Sequence, residues 1–212
     1  FTNDFVFTDN SPVDPQFLAG WYGNTKSNKI RKTLVDLWSD HPSFSIKRTQ
    51  SWYNHQEDEQ RAYVDLIKNS KFSLCPAGWA PPSPRIYESM ALGRCPVIIA
   101  DEFAHPQGPA WSEFALFYPE KCISKIDAFL VENESRYEQL GKKAKEAWDR
   151  FFAGDLLKLY YANSLLQLIN TTPRYSREEE IRRWRSSSTY WNNNWAIPQR
   201  LVSKYQRLFK KI

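Results

Sequence analysis

The segment from Lys71 to Asp101, KFSLCPAGWAPPSPRIYESMALGRCPVIIAD, constrains the fold more than any other part of the sequence. It starts with a short apolar run and continues into a loop too rich in proline and glycine for a helix or a central strand. Ser83 followed by Pro84 predicts a helix start, because serine caps helices and proline fits the first helical position. Gly93 predicts the end of that helix, and the apolar run Pro96 to Ala100 predicts a strand covered on both faces. The segment therefore predicts a strand, a loop, a helix and a second strand.

This order of elements also predicts a ligand site. A polar loop at the carboxyl end of a strand, opening into a helix N-terminus, is where open α/β sheets bind phosphorylated ligands. The loop between Cys75 and Ser83 has that position.

Strand and helix patterns alternate along the rest of the chain. This order predicts an α/β fold, an open parallel sheet with helices on both faces and right-handed crossovers. Besides the segment above, strands are predicted over 17–22, 44–47 and 114–118, and helices over 28–38, 56–69, 126–130, 137–152 and 156–169.

The composition divides the chain into three parts. Residues 1–16 are polar and predict an irregular arm or linker, and residues 17–172 form the predicted α/β domain. Residues 173–212 predict a C-terminal helical extension. It comprises a charged helix over 177–184, a polar aromatic loop over 186–194 and an amphipathic helix over 199–208.

Charge and aromatic content restrict the classes of partner. The net charge of +5 suits polyanions such as nucleotide diphosphates or acidic glycans. Much of the basic excess lies in 177–185 and 204–211, where a solvated helix face is the simpler interpretation. The 16% aromatic content fits either carbohydrate stacking or ordinary core and subunit contacts. Nucleic acid is not an expected partner, because no RRM, KH or helix-turn-helix signature occurs.

Cysteine usage and hydropathy bear on location. The three cysteines lack metal-site spacing, and Cys75 and Cys95 fall on strands predicted to be buried. We therefore expect no disulfide framework and a cytoplasmic location, with membrane association or the Golgi lumen left open. No apolar run reaches transmembrane length. Because the chain begins at Phe1 rather than methionine, we expect a fragment whose upstream domain or anchor is absent, with a naturally short chain as the alternative.

The segment around Cys75 resembles the signature of the exostosin family of glycosyltransferases. The strong resemblance covers roughly the run from Lys71 to Asp101, a weaker one extends from about Phe17 to about Ile169, and the C-terminal part shows none. The matching residues are Cys75, Pro76, Ala77, Gly78, Ser83, Pro84, Arg85, Glu88, Gly93, Pro96, Val97, Ile98, Ile99 and Asp101.

The resemblance implies a two-lobed, GT-B type transferase with Rossmann-like lobes, of which this chain is the C-terminal donor-binding lobe. It implies inverting transfer from a nucleotide sugar, most simply a UDP-sugar, to an oligosaccharide or polysaccharide acceptor. An acceptor-binding lobe or a partner subunit would complete the site. No cofactor is expected, and without a DxD-type acidic pair we expect no metal ion.

The resemblance also implies roles for the residues that would hold the donor diphosphate. Ser83 and Arg85 start the signature helix, where a guanidinium and backbone N–H groups can bind phosphate oxygens. Gly23 and Arg31 form a second, looser match after the first strand. For Arg85, pairing with a local carboxylate is the open alternative.

Other residues are implied for the nucleoside and the sugar. Glu88 is the candidate for the ribose hydroxyls, with an ion pair to Arg85 or Lys71 as the alternative. Gly78 would let backbone approach the donor, and Trp79 would stack on the base or sugar unless it caps the core.

Asp101 and Glu102 are candidates for the donor sugar hydroxyls, or else cap a turn. No catalytic base is assigned, although His105 could border the cleft. The loops at 79–82 and 105–108 depart from the family pattern, so the identity of the donor sugar cannot be inferred from known members of the family. The alternative function is a non-catalytic nucleotide- or sugar-binding module.

Overall fold

The computed structural model describes residues 3–8, 11, 13–49 and 56–186. Its centre is one sheet of five strands, all parallel, in the order β2-β1-β3-β4-β5. The strands are β1 (Phe17–Gly23), β2 (Phe44–Arg48), β3 (Ser70–Pro76), β4 (Cys95–Ile99) and β5 (Leu116–Phe117). The predicted open parallel sheet with a Rossmann-like α/β order is therefore confirmed.

The described part of the chain has eight α-helices, of which the first precedes β1 and the other seven connect or follow the strands. Three short 3-10 turns, at Trp111–Glu113, Glu120–Lys125 and Glu134–Arg136, complete the connections. The helices are α1 (Phe5–Thr8), α2 (Lys29–Trp38), α3 (Glu57–Lys68), α4 (Pro84–Ala91), α5 (Ile126–Asn133), α6 (Tyr137–Phe151), α7 (Asp155–Thr171) and α8 (Arg177–Arg185).

The central strands are buried along nearly their whole length because helices cover both faces of the sheet. In β4 every residue is buried, and in β3 all but Lys71 are buried. Cys75 and Cys95 belong to this core as free thiols, as their strand positions predicted.

The strand order creates a switch point between β1 and β3. The chain leaves β1 through α2 to reach β2 on one side, and later enters β3 on the other side of β1. Ligands of open α/β sheets bind at such a point, outside the carboxyl ends of the strands. The loops that follow β1 and β3 meet there.

The predicted helix boundaries in the signature segment are confirmed. Ser83 is the N-cap of α4 and Pro84 its first residue, although the Ser83 side chain makes no cap hydrogen bond. Gly93 follows the helix with a φ of +66°, the left-handed conformation that favours glycine.

The predicted irregular arm contains the short helix α1. Phe5 and Val6 give this segment apolar side chains that can be buried, which overrides its otherwise polar composition. Val6 packs with Val64 of α3 and Ala91 of α4, and the guanidinium of Arg61 lies 4.1 Å from the Phe5 ring centre. The segment is thereby attached to the domain.

Contact clustering divides the chain into two compact units, 1–164 and 165–212. The division falls within α7 (Asp155–Thr171), whereas the sequence predicted the domain boundary after this helix, at 172/173. In the second unit α8 begins with a capping box formed by Ser176 and Glu179. The helix predicted over 199–208 lies outside the described residues, as does the predicted loop beyond Ser186. None of the described helices combines the length and the apolar character needed to cross a membrane.

Helix α6 packs closely against the turn that ends α4. A Cβ placed on Gly141 would lie 2.3 Å from the backbone oxygen of Gly93. The close approach positions α6 against the helix that carries Arg85 and Glu88.

We predict that Gly141→Ala destabilises the protein. Alanine favours a helix over glycine by about 1 kcal/mol, but overpacking against backbone costs about 1–3 kcal/mol, and backbone cannot rotate away. The free energy of unfolding, measured by urea denaturation, should therefore fall. Glu146→Ala, an exposed site on the same helix, is the control and should change it little; a more stable Gly141→Ala protein would contradict the packing.

Candidate functional site

Two buried arginines converge at the switch point. Arg31 lies in the first turn of α2 and is 8% exposed, and Arg85 lies in the first turn of α4 and is 7% exposed. Burial lowers the pKa of Arg31 to about 10, and the positive charge of Arg85 is the next cause. Two like charges removed from water destabilise the protein unless other groups compensate them.

The guanidinium of Arg31 is compensated by backbone oxygens. Its Nε donates to the carbonyl of Ala77 at 2.9 Å. Its Nη1 and Nη2 donate to the carbonyls of Asn24 and Pro76, both at 3.4 Å. Arg31 therefore joins the loop after β1 to the loop after β3, and every nitrogen of its fork is used within the protein.

Asn28 makes a second connection between the same two loops. As the N-cap of α2 it accepts a hydrogen bond from the backbone N–H of Ile30 at 3.1 Å. Its Nδ2 donates to the carbonyl of Gly78 at 3.1 Å. One side chain thus begins α2 and holds the loop between Cys75 and Ser83, which is called the signature loop below.

Arg85 is bonded differently from Arg31. Its Nη2 donates to the backbone oxygen of Tyr22, whereas its Nε and Nη1 are buried without a partner. Aromatic rings hold the guanidinium, with Cζ 5.5 Å from the ring centre of Trp21 and 5.4 Å from that of Tyr63. No carboxylate in the described residues pairs with it, so the predicted alternative of a local ion pair is absent there.

Gly23 and Gly78 make room for these arginines. A Cβ on Gly23 would lie 3.0 Å from Nη2 of Arg85, and a Cβ on Gly78 would lie 2.9 Å from Nη2 of Arg31. The sequence assigned Gly78 to close approach of the donor and Gly23 to the turn that would bind the diphosphate; in the structure each accommodates an arginine.

Unpartnered donors are concentrated at this place. Buried side-chain nitrogen and oxygen atoms are nearly always hydrogen-bonded, and an unmet one costs about 1–3 kcal/mol. Among the described residues, the atoms without a partner are Trp21 Nε1, Ser27 Oγ, and Nε and Nη1 of Arg85. They belong to β1, the loop after β1 and the start of α4. Acceptor oxygens of a ligand would satisfy donors of this kind.

Glu88 lies one turn after Arg85 and is half-buried. Its Oε2 accepts a hydrogen bond from the Tyr63 hydroxyl. The alternatives predicted for Glu88 are not found, since Lys71 pairs with Glu134 at 2.6 Å instead. Desolvation raises the pKa of Tyr63 well above its usual value, and the charge of Glu88 raises it further.

The remaining predicted residues lie at the same edge of the sheet but make other contacts. Trp79 is 77% exposed, so it does not cap the core. Asp101 accepts from the backbone N–H of Glu120 at 3.0 Å and donates its own N–H to that side chain at 3.3 Å, which fixes a turn. Glu102 is exposed.

His105 belongs to an aromatic cluster. It is exposed, and its ring lies 4.6 Å from that of Phe117 and 6.1 Å from that of Trp111. Nothing in these contacts assigns it a proton-transfer role. In the described part of the chain no three His, Cys, Asp or Glu side chains converge as metal ligands would.

Sequence reasoning missed Tyr63, Trp21 and Asn28 as members of the site. In the predicted helix over 56–69, Tyr63 shares a face with Leu66 and Ile67, where an aromatic residue is ordinarily core. The available signal was its hydroxyl, because a buried tyrosine O–H requires a partner. Asn28 carried a signal too, as an N-cap residue type at a predicted helix start.

Three comparisons relate the chain to known proteins. The exostosin GT47 domain matches residues 4–133. A protein of Oryza sativa subsp. japonica named probable glucuronosyltransferase is 35% identical over 133 residues, which cover 62% of this chain and 27% of that protein. The Arabidopsis thaliana protein named probable beta-1,4-xylosyltransferase IRX10 is 33% identical over 133 residues, covering 62% and 28%.

The comparison with solved structures gives a weaker match than the comparison with sequences. The crystal structure of TarM matches with a TM-score of 0.45 and 11% identity over 73% of this chain and 36% of that chain, a likeness that carries no functional argument. The chain spans just over a quarter of the length of the curated relatives named above.

We predict that Arg31→Lys lowers the free energy of unfolding by about 1.5–3 kcal/mol, the contribution of hydrogen bonds from a charged group. Lysine keeps the charge but cannot reach three carbonyls with a planar fork. Urea denaturation measures the change. Arg48→Lys, at the exposed carboxyl end of β2, is the matched control. Equal effects of the two substitutions would contradict the joining role of Arg31.

Proposed function

The chain belongs to the exostosin GT47 family, and we propose that it is the donor-binding part of a glycosyltransferase. In this proposal it binds a nucleotide sugar, a UDP-sugar in the first instance, at the switch point between β1 and β3. The sugar is transferred to a glycan acceptor with inversion and without a metal ion.

The unmet hydrogen-bonding capacity of Arg85 is the observation that supports this proposal most. A nucleotide sugar leaves as a diphosphate, so negative charge builds on its oxygens in the transition state. A guanidinium with Nε and Nη1 free presents two donors in a fixed plane, which suits phosphate oxygens. Ser83 and Pro84 place Arg85 in the first turn of α4, where the helix dipole also favours an anion.

Arg31 contributes indirectly in this proposal. Because its fork is used by backbone carbonyls, it would fix the loop that receives the donor and add positive potential to the site. Gly23 and Gly78 would act in the same indirect way, by accommodating the two arginines.

Glu88 would bind the ribose. Its carboxylate has acceptor capacity beyond the one hydrogen bond from Tyr63, and it lies on the same helix as Arg85. Trp79 would offer a stacking face, since its ring is exposed in the loop that ends at α4. Of the two carboxylates proposed for the sugar, Glu102 is the better candidate because Asp101 is committed to Glu120.

The names of the relatives supply the sugars to test. Since they are described as glucuronosyl- and xylosyltransferases, glucuronosyl and xylosyl donors are the first choice. The acceptor, the catalytic base and any partner lobe are not assigned to residues of this chain. A cytoplasmic location, with membrane association or the Golgi lumen as alternatives, stays a proposal.

We predict that Arg85→Gln weakens UDP binding by roughly 10- to 100-fold, the equivalent of one or two charge-assisted hydrogen bonds. Calorimetric titration with UDP, GDP and uridine measures the effect. Uridine affinity should change little, because uridine carries no phosphate. Arg48→Gln is the control, as it removes an exposed charge from the same edge of the sheet.

Two results would count against the proposal. If the folded wild-type chain binds no UDP, the donor-site assignment is wrong; if Arg85→Gln binds UDP normally, the diphosphate lies elsewhere. UDP binding without any transfer or hydrolysis of UDP-glucuronic acid or UDP-xylose by the full protein would favour the non-catalytic binding module.

We predict that Glu88→Gln reduces the preference for UDP over 2′-deoxy-UDP about 10-fold, because a carboxylate accepts from ribose hydroxyls more strongly than an amide. Competition titrations with the two nucleotides measure this ratio. Glu146→Gln, an exposed glutamate of α6, is the control. An unchanged ratio in Glu88→Gln would place the ribose away from Glu88.

A further inference from the structure

We propose that Tyr63 is a positioning residue that holds the Glu88 carboxylate away from the Arg85 guanidinium, so that both charges stay available to a donor. This inference rests on the proposed function, in which Arg85 and Glu88 bind the donor. Tyr63 lies on α3, outside the signature segment.

Without a third group, Arg85 and Glu88 would be expected to pair. They are three residues apart in α4, so they project from the same face of that helix. Arg85 is buried and Glu88 half-buried, and this partial removal from water strengthens attraction between opposite charges. An ion pair would satisfy the arginine internally and remove its attraction for phosphate, yet the two form no ion pair here.

The hydroxyl of Tyr63 provides the competing contact for Glu88. It donates to Oε2, and within the described residues it is the one side chain bonded to that carboxylate. A tyrosine hydroxyl is protonated, and therefore a donor, near neutral pH, and burial of Tyr63 raises its pKa further.

The ring of Tyr63 provides the competing contact for Arg85. The guanidinium carbon lies 5.4 Å from the ring centre, within the range of cation–π attraction. Two groups of β1, the ring of Trp21 and the backbone oxygen of Tyr22, contact the same guanidinium. One tyrosine thus contacts the anion with its hydroxyl and the cation with its ring.

Buried neighbours anchor the helix that carries Tyr63. The neighbouring residues Val64, Leu66 and Ile67 are buried against the sheet and α1. A side chain carried by such a helix can keep two groups of another helix apart.

A double-mutant cycle tests the inference. Tyr63→Phe keeps the ring and removes the hydroxyl, which frees Glu88 to pair with Arg85. UDP affinity should then fall about 10-fold, the effect of losing one charge-assisted contact. In a Glu88→Gln background the same substitution should have almost no effect, since a neutral amide cannot neutralise Arg85. Tyr118→Phe, which removes a hydroxyl bonded to the Cys122 carbonyl, is the control.

A second measurement needs no ligand. The side-chain ¹⁵Nε resonance of Arg85, assigned by its loss in Arg85→Gln, should move in Tyr63→Phe as an ion pair forms. It should return towards its original position in Tyr63→Phe/Glu88→Gln. Urea denaturation of each variant confirms that the fold is kept.

The outcomes separate this inference from the proposed function. Equal losses of UDP affinity in both backgrounds, or an unmoved Arg85 resonance, would overturn the role of Tyr63 while leaving the donor site intact. Absence of UDP binding by the wild type would overturn both. Coupled effects on affinity and on the resonance would support the positioning role, which a merely structural tyrosine would not produce.

Discussion

The burial of two guanidinium groups at one edge of the sheet is the interaction on which the site depends. Each positive charge is compensated in its own way: Arg31 by three backbone carbonyls, Arg85 by two aromatic faces and one carbonyl. The glycines at 23 and 78 are needed because the arginines lie against their backbone. The switch point of the sheet places both groups together, so fold and electrostatics specify the same location.

The scaffold could be predicted from the sequence because its signals are local. Continuous apolar runs gave the buried strands, and Ser83, Pro84 and Gly93 gave the limits of α4. Helix α1 was missed because four residues carry no periodicity, and only its packing against α3 and α4 makes it a helix.

The candidate site was predicted in location but only partly in detail. Sequence reasoning assigned Arg85, and by a looser match Arg31, to the donor diphosphate. In the structure the guanidinium of Arg31 is bonded to backbone carbonyls, whereas Arg85 keeps two donors without a partner. That difference arises from the path of the loops, which spacing does not reveal. Tyr63 was missed for a related reason, because its contacts with Glu88 and Arg85 join helices distant in sequence. The roles of Glu88, Trp79 and Glu102 towards a donor stay predictions.

The way in which the signature loop is held has a consequence for its evolution. Arg31 and Asn28 donate hydrogen bonds to the carbonyl oxygens of Pro76, Ala77 and Gly78. Every amino acid carries such an oxygen, so the anchorage does not depend on which side chains follow in the loop. Residues 79–82 can therefore change without loss of the hydrogen bonds that hold the start of the loop.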